Sequence, residues 1–89
     1  MSKLNTDILQ WIHRTSKAQT LEKLDAYFQT TEEVMKVYLD AHLITMDEYR
    51  ELDGRLVTAY YQRYKDICVQ EYRKADAEFL NNLRKGVNT

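Results

Sequence analysis

The sequence predicts an all-α fold, a small helical bundle, and three observations predict it. Proline is absent and glycine occurs only at Gly54 and Gly86, so the residues that most often break helices are nearly missing. Apolar residues recur at spacings of three and four rather than in alternation. Between the apolar stripes, a hydroxyl residue is followed three positions on by Gln or Glu at Ser16/Gln19, Thr30/Glu33 and Thr45/Glu48. In this pattern the hydroxyl accepts from the free amide at the third helical position, and the side chain there reaches back to the cap amide.

The elements follow in order. Leu4, Ile8, Trp11 and Ile12 make a first short stripe around a cap at Thr6. Ser16 then opens a second helix carrying Leu21, Leu24 and Phe28, and Thr30 a third carrying Val34, Val37, Tyr38 and Ala41. Thr45 opens the fourth, flanked by Ile44 and Tyr49 at the positions of a hydrophobic staple. This last segment is the longest. It runs to about Lys85, with Asp53-Gly54 as a place to kink and Gly86 as the residue after its end. The expected organisation is therefore one helical domain: three short helices within residues 1–44, a long helix over 45–85, and a disordered tail over 86–89.

On a helical wheel, Val57, Tyr61, Tyr64, Cys68, Tyr72, Ala75, Phe79 and Leu83 fall within about a third of the circle, which predicts a stripe facing the core. Arg55, Arg63, Arg73, Lys74, Arg84 and Lys85 fall on the other side and are expected to face water, with Asp66 the one acidic residue among them. A helix of this length spans roughly 45 Å, more than short neighbours cover, so one end is left to dock on a second copy. A second spacing also stands out. An apolar residue three before a tyrosine recurs at Leu24/Tyr27, Met35/Tyr38, Met46/Tyr49 and Val57/Tyr60, each step eleven residues and close to three helical turns, and again at Val69/Tyr72 after twelve; the expected caps at Thr30 and Thr45 cut this run, so ordinary i, i+3 patterning is favoured over an inherited repeat.

Composition narrows the function classes. Hydrophobic residues are 44% and charged residues 30%, as in globular chains. No apolar run approaches the roughly 18 residues of a membrane span, and Met1–Asn5 lacks a signal-peptide core, so a cytoplasmic protein is expected. Charge is uneven: residues 21–53 hold nine acidic against three basic side chains, whereas residues 54–89 hold seven basic against four acidic. The two regions can neutralise each other or one can meet a charged partner.

Catalytic and metal constellations are not expected. His13 and His42 are the only histidines and Cys68 the only cysteine, and no pair has metal-ligand spacing. His42 reads instead as a residue placed near a helix C-terminus, and Cys68 as a small apolar residue. The acidic pairs Glu32-Glu33 and Asp47-Glu48 fall in first turns, where carboxylates complement the helix dipole. No cofactor is expected either, since two glycines 32 residues apart make no phosphate loop.

What remains is binding. Seven tyrosines, one tryptophan and three methionines suit a protein interface, and Tyr60 is expected at its rim because Tyr60 and Tyr61 point to different sides of the helix. The candidate contact face is Arg55, Tyr60, Arg63, Arg73, Lys74, Arg84 and Lys85. The expected function is a small non-enzymatic regulatory or adaptor protein that docks on another protein, with a homodimer as one form. The alternative is a nucleic-acid-binding or nucleoid-associated regulator using the same basic face, against which stands a pI of about 6.1.

One likeness bears on this choice. Thr6-Asp7 with Leu9, Arg14 and Thr20-Leu21-Glu22-Lys23 resembles the opening of the Hha/YmoA modulators, small helical proteins that join the nucleoid protein H-NS. Asp53 with Arg55-Leu56 is similar to a later piece of that family, across a gap of several positions. The resemblance implies a regulatory partner protein with Asp53 and Arg55 at the contact. The family closes with a segment containing proline and tryptophan, whereas this chain has no proline and its only tryptophan is Trp11.

Overall fold

The structure, a computed structural model, describes residues 5–87. Three α-helices follow one another, α1 (Thr6–Ser16), α2 (Leu21–Asp40) and α3 (Met46–Val87), and each packs on the other two. The described residues contain no strand.

The first helix starts one residue earlier than expected, at Thr6 itself. Asn5 Oδ1 accepts from the amides of Asp7 and Ile8 at 2.9 and 3.1 Å, so Asn5 rather than Thr6 is the cap. Leu4 of the first expected stripe lies outside the described residues. Ser16 ends α1 instead of opening α2, its hydroxyl donating to the His13 carbonyl, and Thr20 caps α2 by accepting from the Lys23 amide at 3.1 Å.

The second and third expected helices are one. α2 runs through Thr30, because the next residue, Thr31, is fully buried and its hydroxyl donates back to the Tyr27 carbonyl at 2.6 Å. That bond satisfies the buried hydroxyl without strengthening the helix, which continues because Thr31 packs into the body. Leu24, Thr31 and Met35 then fall on one buried face.

α2 ends in a Schellman motif. The Leu43 amide donates to the Tyr38 carbonyl (2.9 Å) and the His42 amide to the Leu39 carbonyl (3.0 Å), with His42 at φ 58 in the left-handed conformation usually taken by glycine. Thr45 opens α3 as expected. The Glu48 amide donates to Thr45 Oγ1 (3.1 Å), the Thr45 amide to Glu48 Oε1 (3.0 Å), and Ile44 and Tyr49 pack into the same cluster.

α3 passes through Gly54 without a break and extends to Val87, so Gly86 lies inside the helix. Residues 86 and 87 of the expected tail are thus helical, and residues 88 and 89 lie outside the described residues. At Gly54 the helix meets no competing contact, since a Cβ there would have nothing within 4 Å.

Two adjoining clusters make the core. Ile8 and Ile12 of α1, Met35 of α2, Ile44, and Leu52 and Leu56 of α3 form the larger. Ala18, Leu24 and Ile67 form the smaller, with Leu21, Tyr27 and Tyr60 packed against it. The face that α3 turns inward is therefore Leu52, Leu56, Ala59, Tyr60, Arg63 and Ile67, about a third of a turn round from the stripe that the wheel pointed to. Within that expected core stripe Tyr61, Tyr72 and Phe79 are 64, 72 and 61% exposed.

The cause of this difference is length. α1 and α2 cover α3 only as far as Ile67 and Cys68, and every residue from Val69 to Gly86 is exposed. Long apolar periodicity over 57–83 thus belongs to a helix whose second half, through Lys85, has no neighbouring helix among the described residues. The result is a rod of 68 × 21 × 15 Å with the three-helix body at one end.

Candidate protein interface on the free half of the third helix

The residues of the expected contact face do not stay together. Arg63 is half-buried and its guanidinium Nε donates to the Ala18 carbonyl in the turn between α1 and α2, which corrects its assignment to a water-facing side. It sits on the inward sector of α3, so its charge closes the end of the body. Arg55 is exposed beside the body and pairs with Glu51 one turn back at 3.4 Å. Arg73, Lys74, Arg84 and Lys85 are exposed on the free half, on the side away from the apolar stripe.

Tyr60 also moves inward. Its hydroxyl donates to Asp25 Oδ1 of α2 at 2.7 Å, and its ring lies 4.7 Å from that of Phe28. The Asp25 carboxylate accepting that proton, helped by partial desolvation, pushes the Tyr60 hydroxyl up to about 12. The exposed member of the pair is Tyr61, whose ring meets Tyr60 edge-on at 5.5 Å, while Tyr64 stacks on Tyr60 at 6.1 Å. A second bond of this kind ties α2 to α1, from the Tyr38 hydroxyl to Asp7 Oδ2 at 3.1 Å, and it raises the Tyr38 hydroxyl as well.

What the free half does present is apolar. Tyr64, Cys68, Tyr72, Ala75, Phe79 and Leu83 form one line along it, and Val69 and Leu80, 45 and 51% exposed, widen that line on one side. Tyr64, Lys65, Cys68, Val69, Tyr72 and Arg73 frame a shallow apolar groove midway. At the body end the line continues through Tyr61 and Val57 into a second groove, whose other wall is Asp25, Phe28, Gln29 and Glu32 of α2. Sequence reasoning found this stripe but turned it inward, and it left out Val69 and Leu80; their place beside Lys65 and Asp76 on the wheel was the available signal.

Monomeric proteins seldom leave an apolar strip of this length in water, and polar rims around such strips mark places where another macromolecule binds. Elsewhere the chemistry is sparse. His13 and His42 are exposed, Cys68 is half-buried, and among the described residues no three His, Cys, Asp or Glu side chains gather around a common point. Among the described residues no helix is long and apolar enough to cross a membrane.

No protein-family model, curated protein or solved structure matches this chain. The likeness to the Hha/YmoA modulators therefore rests on the quoted residues alone, of which Asp53 is half-buried and Arg55 is engaged with Glu51.

Proposed function

We propose that this protein is a small non-enzymatic regulatory or adaptor protein of the cytoplasm, acting without a cofactor, and that it binds protein through the free half of α3. One observation carries the reading: residues 69–85 form a helix with no cover from the other described residues, yet carry apolar side chains at helical spacing. An apolar helix face anchored on a folded body is the usual hydrophobic half of a helix-to-helix or helix-in-groove contact. The aromatic residues Tyr64, Tyr72 and Phe79 supply the large rigid side chains that concentrate binding energy.

The test is a comparison of the wild type with a Tyr72→Glu/Phe79→Glu variant. Both positions are exposed, so the variant keeps its fold, and it is expected to lose binding to protein partners recovered by cross-linking in the native host. Retention of the same partners by the variant would refute the assignment.

A second reading uses Arg73, Lys74, Arg84 and Lys85, four exposed cations on the other side of the free half, as phosphate contacts to nucleic acid. Mobility shift of mixed duplex DNA at low salt, lost in a variant with all four neutralised, is the expected sign; no shift at low salt removes this reading.

A further inference from the structure

Resting on the reading of the free half as a protein-binding surface, we infer that its occupant is a second copy of this chain, paired antiparallel over residues 64–83. The spacing of the stripe is the first ground. Tyr64, Cys68, Tyr72, Ala75, Phe79 and Leu83 are separated by four, four, three, four and four positions, a series that reads the same from either end. A two-fold antiparallel pair requires a surface of this kind, because each residue meets the partner's residue equally far from the centre.

Side-chain size is the second ground. Reversing one copy on the other sets Tyr72 against Ala75, Phe79 against Cys68 and Tyr64 against Leu83, so two of the three kinds of layer join a large and a small residue. Alternation of this sort fills the space between two helices at a constant distance. A parallel pair would instead stack Tyr64, Tyr72 and Phe79 each on its own copy, with gaps at the Cys68 and Ala75 layers between them.

The extended pattern sets the geometry. Val57, Cys68 and Phe79 repeat at eleven residues, as do Tyr61, Tyr72 and Leu83. Eleven residues over three turns is 3.67 per turn, close to that of a straight α-helix, so the helices pair with little supercoiling of right-handed sense.

Area agrees with the same occupant. Along one edge Glu71 comes near Glu78 of the other copy, a solvated repulsion that salt weakens. Tyr61, Tyr64, Tyr72 and Phe79 are 64, 42, 72 and 61% exposed. At about 200 Å² per aromatic side chain, ring surface alone supplies roughly 500 Å² per copy and about 1,000 Å² per pair, the lower bound of a specific interface.

Sedimentation velocity on the full chain tests the pairing, and oxidative cross-linking tests its direction. A dimer is expected at concentrations on the order of 10 μM, turned to monomer by Tyr72→Glu with no change in helix content. In the antiparallel pair the two Cys68 residues lie eleven positions apart along the axis, about 16 Å, too far for a disulfide. Wild type is therefore expected to resist cross-linking through Cys68, whereas Phe79→Cys is expected to give Cys68 joined to the new cysteine of the other copy. A Cys68-to-Cys68 disulfide in the dimer would overturn the antiparallel arrangement. Monomer at up to about 100 μM would overturn the second copy as occupant, and cross-linked host partners lost in Tyr72→Glu/Phe79→Glu would then show that the protein-binding reading outlives it.

Discussion

Leu56→Ala and Phe79→Ala, made separately, distinguish the two faces of α3 by stability. Leu56 is fully buried in the larger cluster among residues of all three helices. Truncating a leucine in such a site removes its transfer free energy and leaves a cavity, together about 2–5 kcal/mol. A protein of this size has on the order of 5–10 kcal/mol of net stability, so a fifth of it or more is lost. At roughly 4–8 °C per kcal/mol, a loss of about 3 kcal/mol lowers Tm by roughly 12–24 °C. Phe79 is 61% exposed on a stretch of helix with no neighbour from the body. Its truncation removes little buried area from the monomer, and alanine is the better helix former, so the change stays within about 0.5 kcal/mol. Denaturant and thermal unfolding followed by circular dichroism, at a protein concentration where the chain is monomeric, read both values. If Phe79→Ala were as destabilising as Leu56→Ala under those conditions, the distal stripe would belong to the core after all.

Three further substitutions follow from local geometry. Gly54→Ala is expected to raise stability by about 0.5–1 kcal/mol, since the site is exposed, helical and empty around the added Cβ, and urea midpoints check it. His42→Gly is expected to raise stability by roughly 0.5–1 kcal/mol by relieving the left-handed backbone at φ 58, read from the same midpoints. Tyr60→Phe is expected to cost about 1 kcal/mol at neutral pH by removing the bond to Asp25, a value kept small by solvent around the pair. The folded-state hydroxyl sits at about 12 against 10 when unfolded, so the protonated form favours the folded chain; its contribution is whole below pH 10 and disappears as pH rises through 12. The stability gap between wild type and Tyr60→Phe should accordingly close over that window, and a gap constant from pH 8 to 12 would count against the Asp25 bond.

Much of this fold is legible in the residues. The absence of proline and the apolar spacing point to helices throughout, and Thr45 with Glu48 marks the start of α3 because both halves of its reciprocal cap are present. Thr30 with Glu33 has the same letters and caps nothing. The difference lies at Thr31, whose burial in the body keeps the helix going, and burial is a tertiary property. The end of α2 is hidden for a related reason: His42 fills a position where glycine is the usual sign.

The candidate surface was half legible. The stripe over 57–83 stands out on a wheel, but a wheel shows only that one side of a helix is apolar. It carries no information on what lies opposite. Because α1 and α2 end early, the inward face of α3 is set by the shorter run Leu52, Leu56 and Ile67, with Arg63 drawn in to meet the Ala18 carbonyl. The longer run is left to water. Tyr60 followed Arg63 inward because both lie on that sector, which divided a basic face that looked continuous in sequence.

Amide hydrogen exchange measured as a function of protein concentration tests most directly whether the second half of α3 stands free of the body. At high dilution, amides of residues 52–67 are expected to exchange slowly, through opening of the whole body, and those of residues 70–86 to exchange faster by fraying from the uncovered end. Protection over 64–83 is expected to rise as concentration brings the second copy onto it. Equal protection of both halves at the highest dilution would mean that the chain itself covers the distal stripe.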